Sequence, residues 1–474
     1  MIASVPRFIS FILLLLASTV SVRQVSAEPT GSSPEWADAD SLVGYWTGAY
    51  TRLNSALRVN VRIERDDSGD LQCFEEFPDW LYYGWLEPEP VTVIDDHTVV
   101  YDGLYGEARL VLDRDYREMI GPSGANTPPA TLHLKRSVSP PRVEVTERVI
   151  RFVSDVPLEG TLVLPEGDGP HACVLLLHGR GCHTRNSLLR QARVLARYGV
   201  AAFAFDQRGR GASGGACETT TFERQTSDAA AALRALANEP ALDSSRIGFK
   251  GGSAGAWTAQ ALAARCAVDD TLPDPAFMVT WIGPATSIEE QQRDSADAIA
   301  ATLGLPPDRA ALVQRHIDLQ LNESMTSHEI YRELKEIESI AESEGWLESM
   351  FAPDDFPPAA DQLDALWLRR FQFDPTEILR TMGTPYLAVF GADDDVVPVE
   401  INTSRLRALL DEAGNTRYRI VTVPGIGHSV EHGDMVRSLG GQQYRTAYYK
   451  FDRVEPRFFE CTVEFLRELG MATR

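Results

Sequence analysis

The sequence predicts an α/β fold, a mostly parallel sheet with helices on both faces, with an inserted helical cap and a small all-β domain in front. Three observations point there. From about residue 143 onward, apolar strands alternate with amphipathic helices, the pattern of a parallel sheet buried on both faces. That alternation breaks between about residues 286 and 375, where the chain becomes charged and helical. Before residue 136 the segments are short and alternate strictly between apolar and polar positions.

The chain opens with Arg7, a run at 8–20 that is apolar apart from Ser10, Ser18 and Thr19, and the small residues Val25-Ser26-Ala27. Residues 1–27 are therefore expected to be a signal peptide, which makes the protein exported, either periplasmic or secreted. The run falls short of the roughly 20 residues of a membrane span. An uncleaved N-terminal anchor is the alternative. No Cys follows the expected cut to carry a lipid, and no later segment is apolar enough to span a bilayer, so no stable membrane insertion is expected after cleavage.

Residues 38–136 carry strand patterns at 56–63, 91–94, 98–101, 108–112 and 131–135, with turn residues at 67–70 and 95–97. Such spacing suits a small antiparallel barrel or sandwich. Trp46, Trp80, Tyr82, Tyr83 and Trp85 would serve there as core and rim packing, the commoner use of such residues, or as a sugar-binding platform. Residues 137–142, with Ser-Pro-Pro, read as a linker. Residues 143–474 then run strand 172–177, helix 187–198, strand 200–205, helix 222–237, strand 246–250, helix 256–264 and strand 276–281. After the cap, strands at 385–390 and 417–422 resume the series, and a helix at about 456–469 closes it.

Composition narrows the function classes. The 474 residues suggest two or three domains, and 44% apolar content is that of a globular protein. The formal charge, 45 − 68 = −23, repels phosphate backbones and anionic headgroups, which argues against nucleic acid as a partner. The six cysteines include no Cys-x-x-Cys pair, which argues against zinc and thioredoxin-like chemistry. Cys182 and Cys217 are the expected disulfide, since their loops should meet at one end of the sheet. Cys173, in an apolar strand, reads as a buried thiol.

The chemistry lies in four loops, each after a strand. Gly251-Gly252-Ser253-Ala254-Gly255, between a strand and an Ala-rich helix, reads as a sharp turn that projects the Ser253 hydroxyl. Asp393-Asp394-Asp395 follow the strand at 385–390, and His428 follows the next strand in a Gly-rich turn. His178-Gly179-Arg180-Gly181 closes the first long apolar strand, with backbone N–H groups available to a developing oxyanion. Taken singly, each of these is an ordinary turn. Together, in the order Ser, Asp, His, they point to a serine nucleophile.

Three other signals are weaker. Gly209-Arg210-Gly211-Ala212-Ser213-Gly214 fits Gly-x-Gly-x-x-Gly but runs on as loop, whereas a dinucleotide fingerprint opens a helix. His432 stands four residues past His428 in a loop, without the helix that would make the two a metal pair. The Asp393–Asp395 cluster reads as a charged turn sooner than a calcium site.

With these pieces, residues from about 143 to the C-terminus resemble the α/β-hydrolase superfamily, most closely bacterial exported esterases and the serine-aminopeptidase-like branch. The matching motifs are Leu177 through Gly181, Asp206 through Ser213, the Ser253 turn, Gly391 through Pro398 and Gly425 through His428. Leu42-Val43-Gly44-Tyr45-Trp46-Thr47-Gly48 resembles the start of the small β-domain that precedes such esterases. The resemblance implies an α/β-hydrolase fold and a catalytic triad of Ser253 as nucleophile, His428 as base and Asp394 as its partner, with Asp393 and Asp395 as rivals. It implies an oxyanion hole from the N–H of Ala254 and that of Arg180 or Gly181. The chain departs from relatives in two places. Gly252 stands where many carry His, a change of pocket shape. Arg180 stands where many carry Ser, either to steer an anionic acyl group or to pair with Asp206.

The expected function is cleavage of small-molecule carboxylic esters through an acyl-enzyme, with no metal or organic cofactor required. Cap aromatics Trp346, Phe351, Trp367, Phe371 and Phe373 would wall the pocket or form ordinary cap core. One alternative is an exopeptidase whose cap acids, such as Glu329, Glu333 and Glu336, hold a substrate amine. The other is a non-catalytic ligand-binding homologue. Oligomeric state is not legible.

Overall fold

A computed structural model describes residues 39–52, 55–77, 88–95, 97–103, 106–124, 129–138, 145–352, 355–428, 430 and 455–473. The expected signal peptide, most of the linker, Trp80, Tyr82, Tyr83, Trp85 and His432 lie outside the described residues.

The first sheet holds nine strands: β1 (Gly44–Arg52), β2 (Ser55–Arg65), β3 (Leu71–Glu76), β4 (Glu89–Pro90), β5 (Thr92–Asp95), β6 (Thr98–Gly103), β7 (Gly106–Leu112), β8 (Glu118–Ser123) and β9 (Ala130–Ser137). All pairings are antiparallel, in the order β4-β3-β2-β1-β9-β8-β7-β6-β5. The period-2 pattern puts Leu57, Val59, Val61 and Ile63 on one face of β2, all buried. They join Trp46, Tyr50, Leu110, Met119 and Leu134 in a single core lined by strands from across the sheet, as in a barrel. Trp46 is thus core, its indole donating to the Leu42 carbonyl at 3.0 Å, and offers no surface platform.

The second sheet is β10 (Val145–Val153), β11 (Pro157–Pro165), β12 (His171–Leu177), β13 (Ala201–Phe205), β14 (Leu242–Gly252), β15 (Met278–Trp281), β16 (Tyr386–Gly391) and β17 (Tyr418–Val423), in the order β10-β11-β13-β12-β14-β15-β16-β17. From β13 to β17 every pairing is parallel. The hairpin β10–β11 adds antiparallel pairings at one edge. The sequence patterns do not single it out, because β10 is an edge strand with only Phe152 fully buried.

β12 shows why the central strands read as continuous apolar runs. Cys173, Leu175 and Leu177 face one core, shared with α2 (Phe222–Ala237), α3 (Gly255–Cys266), α9 (Thr376–Thr381) and α10 (Val399–Glu412). Ala172, Val174 and Leu176 face the other, shared with α1 (Asn186–Arg197) and the C-terminal α11 (Pro456–Glu468). Burying each such Leu or Val stabilises the fold by about 1.5–3 kcal/mol.

Between β15 and β16 lie α4 (Ile288–Leu303), α5 (Pro307–Leu321), α6 (Ser327–Glu344) and the short α7 (Leu347–Met350) and α8 (Trp367–Arg370). Their ends are written locally. Ser287 with Glu290, and Thr326 with Glu329, form capping boxes, while Gly304 and Gly345 end α4 and α6 in the left-handed conformation. Among the described residues, no helix is long and apolar enough to cross a membrane.

Candidate active site

The loops after β12, β14, β16 and β17 leave the carboxyl ends of neighbouring parallel strands, where open α/β sheets build their sites. β14 and α3 meet at Ser253, whose φ of +51° lies in the left-handed region. Such a backbone costs a non-glycine residue about 1–3 kcal/mol and persists only where its surroundings impose it. Here they do. A Cβ on Gly251 would fall 2.1 Å from the Gly255 carbonyl oxygen, and one on Gly255 would fall 2.5 Å from that of Leu177. Only glycines let helix and strands approach this closely, and the approach forces the turn.

Ser253 Oγ lies 3.0 Å from His428 Nε2. On the far side of the ring, Nδ1 sits 3.0 and 2.9 Å from the two Asp394 oxygens. Asp394 is buried, and its Oδ1 also accepts from the backbone N–H of Val396 and Val397 at 3.0 and 2.8 Å. These donors fix the carboxylate, so that His428 carries its proton on Nδ1 and presents the Nε2 lone pair to Ser253. Of the three adjacent acids, only Asp394 takes this position. Asp393 is exposed, and Asp395 is half-buried, its carboxyl raised above the ordinary value chiefly by burial.

A cavity of about 560 Å³ opens over Ser253. Gly179, Arg180, Ala254, Trp281, Trp367 and His428 are in its lining. Ala254 caps the N-terminus of α3, where backbone N–H groups lack intrahelical partners. Arg180 reaches this cavity, whereas Gly181 lines the smaller one beside it. The Arg180 side chain pairs with Asp355 of the helical insertion at 2.6 Å and lies over the Trp367 ring at 4.7 Å. Its partner is therefore not Asp206, which takes Arg185 at 3.6 Å and the Arg185 and Ala212 N–H groups.

His178 is structural. Burial pushes its imidazole down to about 4, and Nε2 donates to the Phe205 carbonyl at 2.8 Å, which anchors the loop after β12. Cys182 and Cys217 are joined by a disulfide, and Cys73, Cys173, Cys266 and Cys461 are buried free thiols. The Gly-x-Gly-x-x-Gly stretch stays a loop, with Gly209 N–H donating to Gly214 O, and α2 begins only at Phe222. The five cap aromatics all belong to one packed apolar cluster, from which Trp367 reaches both cavities and Phe371 the smaller one. Lys250, in the Ser253 cavity, belongs to none of the sequence motifs. Its signal was a lone lysine in a buried strand.

Fold and site together define the class: an α/β-hydrolase with the arrangement of a serine hydrolase. Residues 168–434 match the serine aminopeptidase S33 family, and the chain belongs to that family. A search of curated protein sequences gives no match. Among solved structures, the chain is similar to the hypothetical protein PA2218 of Pseudomonas aeruginosa (18% identity, 70% of this chain and 95% of that one, TM-score 0.42). It is also similar to an esterase of Pyrococcus furiosus (17%, 70% and 97%, TM-score 0.41). A third is esterase 2 of Thermogutta terrifontis (16%, 72% and 100%, TM-score 0.40).

Proposed function

We propose that the protein hydrolyses small carboxylic esters through an acyl-enzyme, with Ser253 as nucleophile, His428 as general base and Asp394 holding His428. The observation that carries this reading is the unbroken series from Ser253 Oγ through the His428 ring to buried Asp394, each step within 3.0 Å. A neutral serine is a weak nucleophile, so Nε2 takes its proton as Oγ attacks the ester carbonyl. The N–H groups of Ala254 and Arg180 receive the oxyanion, each such donor being worth about 3–4 kcal/mol in comparable sites. The alcohol leaves with the proton from Nε2, and water repeats the sequence to release the acid.

The family name raises the aminopeptidase alternative, which needs an acid to hold a substrate ammonium. The acids nominated for that task are occupied elsewhere or turned outward. Glu329 closes the capping box of α6, Glu333 binds Arg315 at 2.7 Å, and Glu336 is exposed. Lys250 lines the cavity instead, and its ammonium would repel that of a substrate. Export belongs to the same proposal, and the Cys182–Cys217 disulfide supports it, since such bonds persist in oxidising compartments.

Labelling with a fluorophosphonate probe, followed by turnover of p-nitrophenyl esters and of amino-acid p-nitroanilides, tests the reading. Expected are labelling lost in Ser253→Ala, ester turnover lost by about 10⁶-fold in kcat in that variant, and a loss of about 10⁴-fold in Asp394→Asn. Faster cleavage of anilides than esters would favour the aminopeptidase. No labelling of folded protein would leave a binding homologue.

A further inference from the structure

Lys250 is 3% exposed, lies three residues before Ser253 on β14, and lines the same cavity. Its ammonium donates to Gln191 Oε1 at 2.6 Å and stands 3.6 Å from the centre of the Trp281 ring. Trp281 is itself held by a hydrogen bond from Nε1 to Thr462 Oγ1 at 3.0 Å. An ammonium has three donors, and here one amide oxygen and one aromatic face serve it. Among the described residues, no carboxylate stands within ion-pair distance. A buried cation without a counter-ion costs several kcal/mol, and an apolar side chain would pack the strand better. Burial pushes the ammonium down to about 7, as expected of a charge kept from water.

The cavity around it lacks the acids that dominate the molecule. The chain carries a formal charge of −23, yet the described lining holds the basic side chains Lys250 and Arg180 and no Asp or Glu. Arg180 is already paired with Asp355, which leaves Lys250 as the lining cation without a partner acid among the described residues. The route from Ser253 to Lys250 is also open. Gly252 lies between them on the strand, on the same face as Lys250, and a Cβ built there meets nothing nearer than the Trp281 carbonyl oxygen at 3.9 Å. With roughly 3.3 Å of rise per residue, the two backbone positions stand at most about 10 Å apart.

We propose that Lys250 receives an anionic group of the substrate, so that the preferred ester carries a carboxylate a few bonds from the carbonyl Ser253 attacks. This rests on the ester-hydrolase reading above. The carboxylate supplies the counter-ion that the described residues do not, and Gln191 and Ser187, also in the lining, offer polar neighbours to it. The acidic exterior does not prevent entry, because screening confines its repulsion to about 8 Å at physiological salt.

The test compares kcat/KM for matched esters in wild type and in Lys250→Met. The p-nitrophenyl half-ester of glutaric acid is set against p-nitrophenyl valerate, and 4-carboxyphenyl butyrate against phenyl butyrate. These two arms separate an anion in the acyl part from one in the alcohol. The expected result is at least a tenfold preference of wild type for the carboxylate in one arm, falling to near unity in Lys250→Met. Equal turnover in both arms, or a preference that survives the substitution, would overturn the proposal. Fluorophosphonate labelling of Lys250→Met shows that it is folded. A second measurement is independent of turnover: calorimetric binding of glutaramate and valeramide to Ser253→Ala, with and without Lys250→Met. At least tenfold tighter glutaramate binding that vanishes with Lys250 supports the role even if ester turnover fails. Equal binding of the two ligands sinks it.

Discussion

Arg180 Nη2 lies 2.6 Å from Asp355 Oδ1, so the loop beside Ser253 is tied directly to the helical insertion. Asp355 also accepts from the Ala352 N–H at 2.7 Å, and its carbonyl oxygen accepts from His316 Nε2 at 2.8 Å. The pair is three-quarters or more buried on both sides, so removing one charge strands the other. Asp355→Asn is expected to cost about 1–3 kcal/mol of stability, the penalty of leaving a buried polar partner unsatisfied. A double-mutant cycle in urea with Arg180→Met should give a coupling of at least about 0.5 kcal/mol. A smaller coupling would mean that the contact is incidental.

The glycines at the Ser253 turn differ in what they permit. Gly251→Ala would drive a methyl 2.1 Å from a backbone oxygen, whereas Gly252→Ala would meet its nearest atom at 3.9 Å. The first should abolish folding or cost more than about 3 kcal/mol, and the second should cost under about 1 kcal/mol. Thermal melts of the two purified variants decide the matter, and equal melting temperatures would contradict the close approach of α3 to β14.

The lowered ammonium of Lys250 has a stability consequence with a definite sign. Folding depresses its pKa from 10.5 to about 7, so the unfolded chain binds the extra proton between those values. Wild-type stability therefore gains from this group as pH rises through that window, and the full penalty is present below about 7. Lys250→Met, which lacks the penalty, should exceed wild type in stability most at pH 6 and least at pH 10. Urea melts at those two pH values and at 8 check this, and a difference that does not shrink with pH would refute it.

The Cys182–Cys217 disulfide closes a loop with a sequence separation of 35. On the chain-entropy relation, a loop of that size stabilises by about 4 kcal/mol, and native bonds typically deliver about 2–4. The double substitution to Ala should lower the unfolding free energy by that amount, seen as a lower urea midpoint. A mass change of two protons on reduction of wild type confirms that the bond exists in the purified protein. An unchanged midpoint would mean that the two loops are held by other contacts.

Some of this was legible in the chain because the controlling interactions are local. The strand–Gly-rich turn–helix pattern around Ser253 is written in adjacent residues, as are the capping boxes at Ser287 and Thr326. The alternation of Leu57, Val59, Val61 and Ile63 announces a half-buried strand without reference to its partners. The continuous apolar run of β12 announces a strand buried on both faces in the same way. Even the sequence order of Ser253, Asp394 and His428 could be read, since each follows its own strand.

What distant packing controls was not legible. Residue chemistry alone does not separate three adjacent aspartates; the resemblance names Asp394, and it is the path of the chain after β16 that turns Asp394 toward His428. Arg180 could have met Asp206, twenty-six residues on, but the insertion carries Asp355 to it instead. The edge hairpin β10–β11 hides its role because its partner β13 lies elsewhere in the chain. Lys250 is the clearest case: its described partners, Gln191 of α1 and Trp281 of β15, are brought to it from elsewhere in the chain. Local sequence determined the elements and the turn that presents Ser253, through torsional preference and hydrophobic period. Tertiary structure decided which charges meet, because electrostatic partnership depends on distance in space.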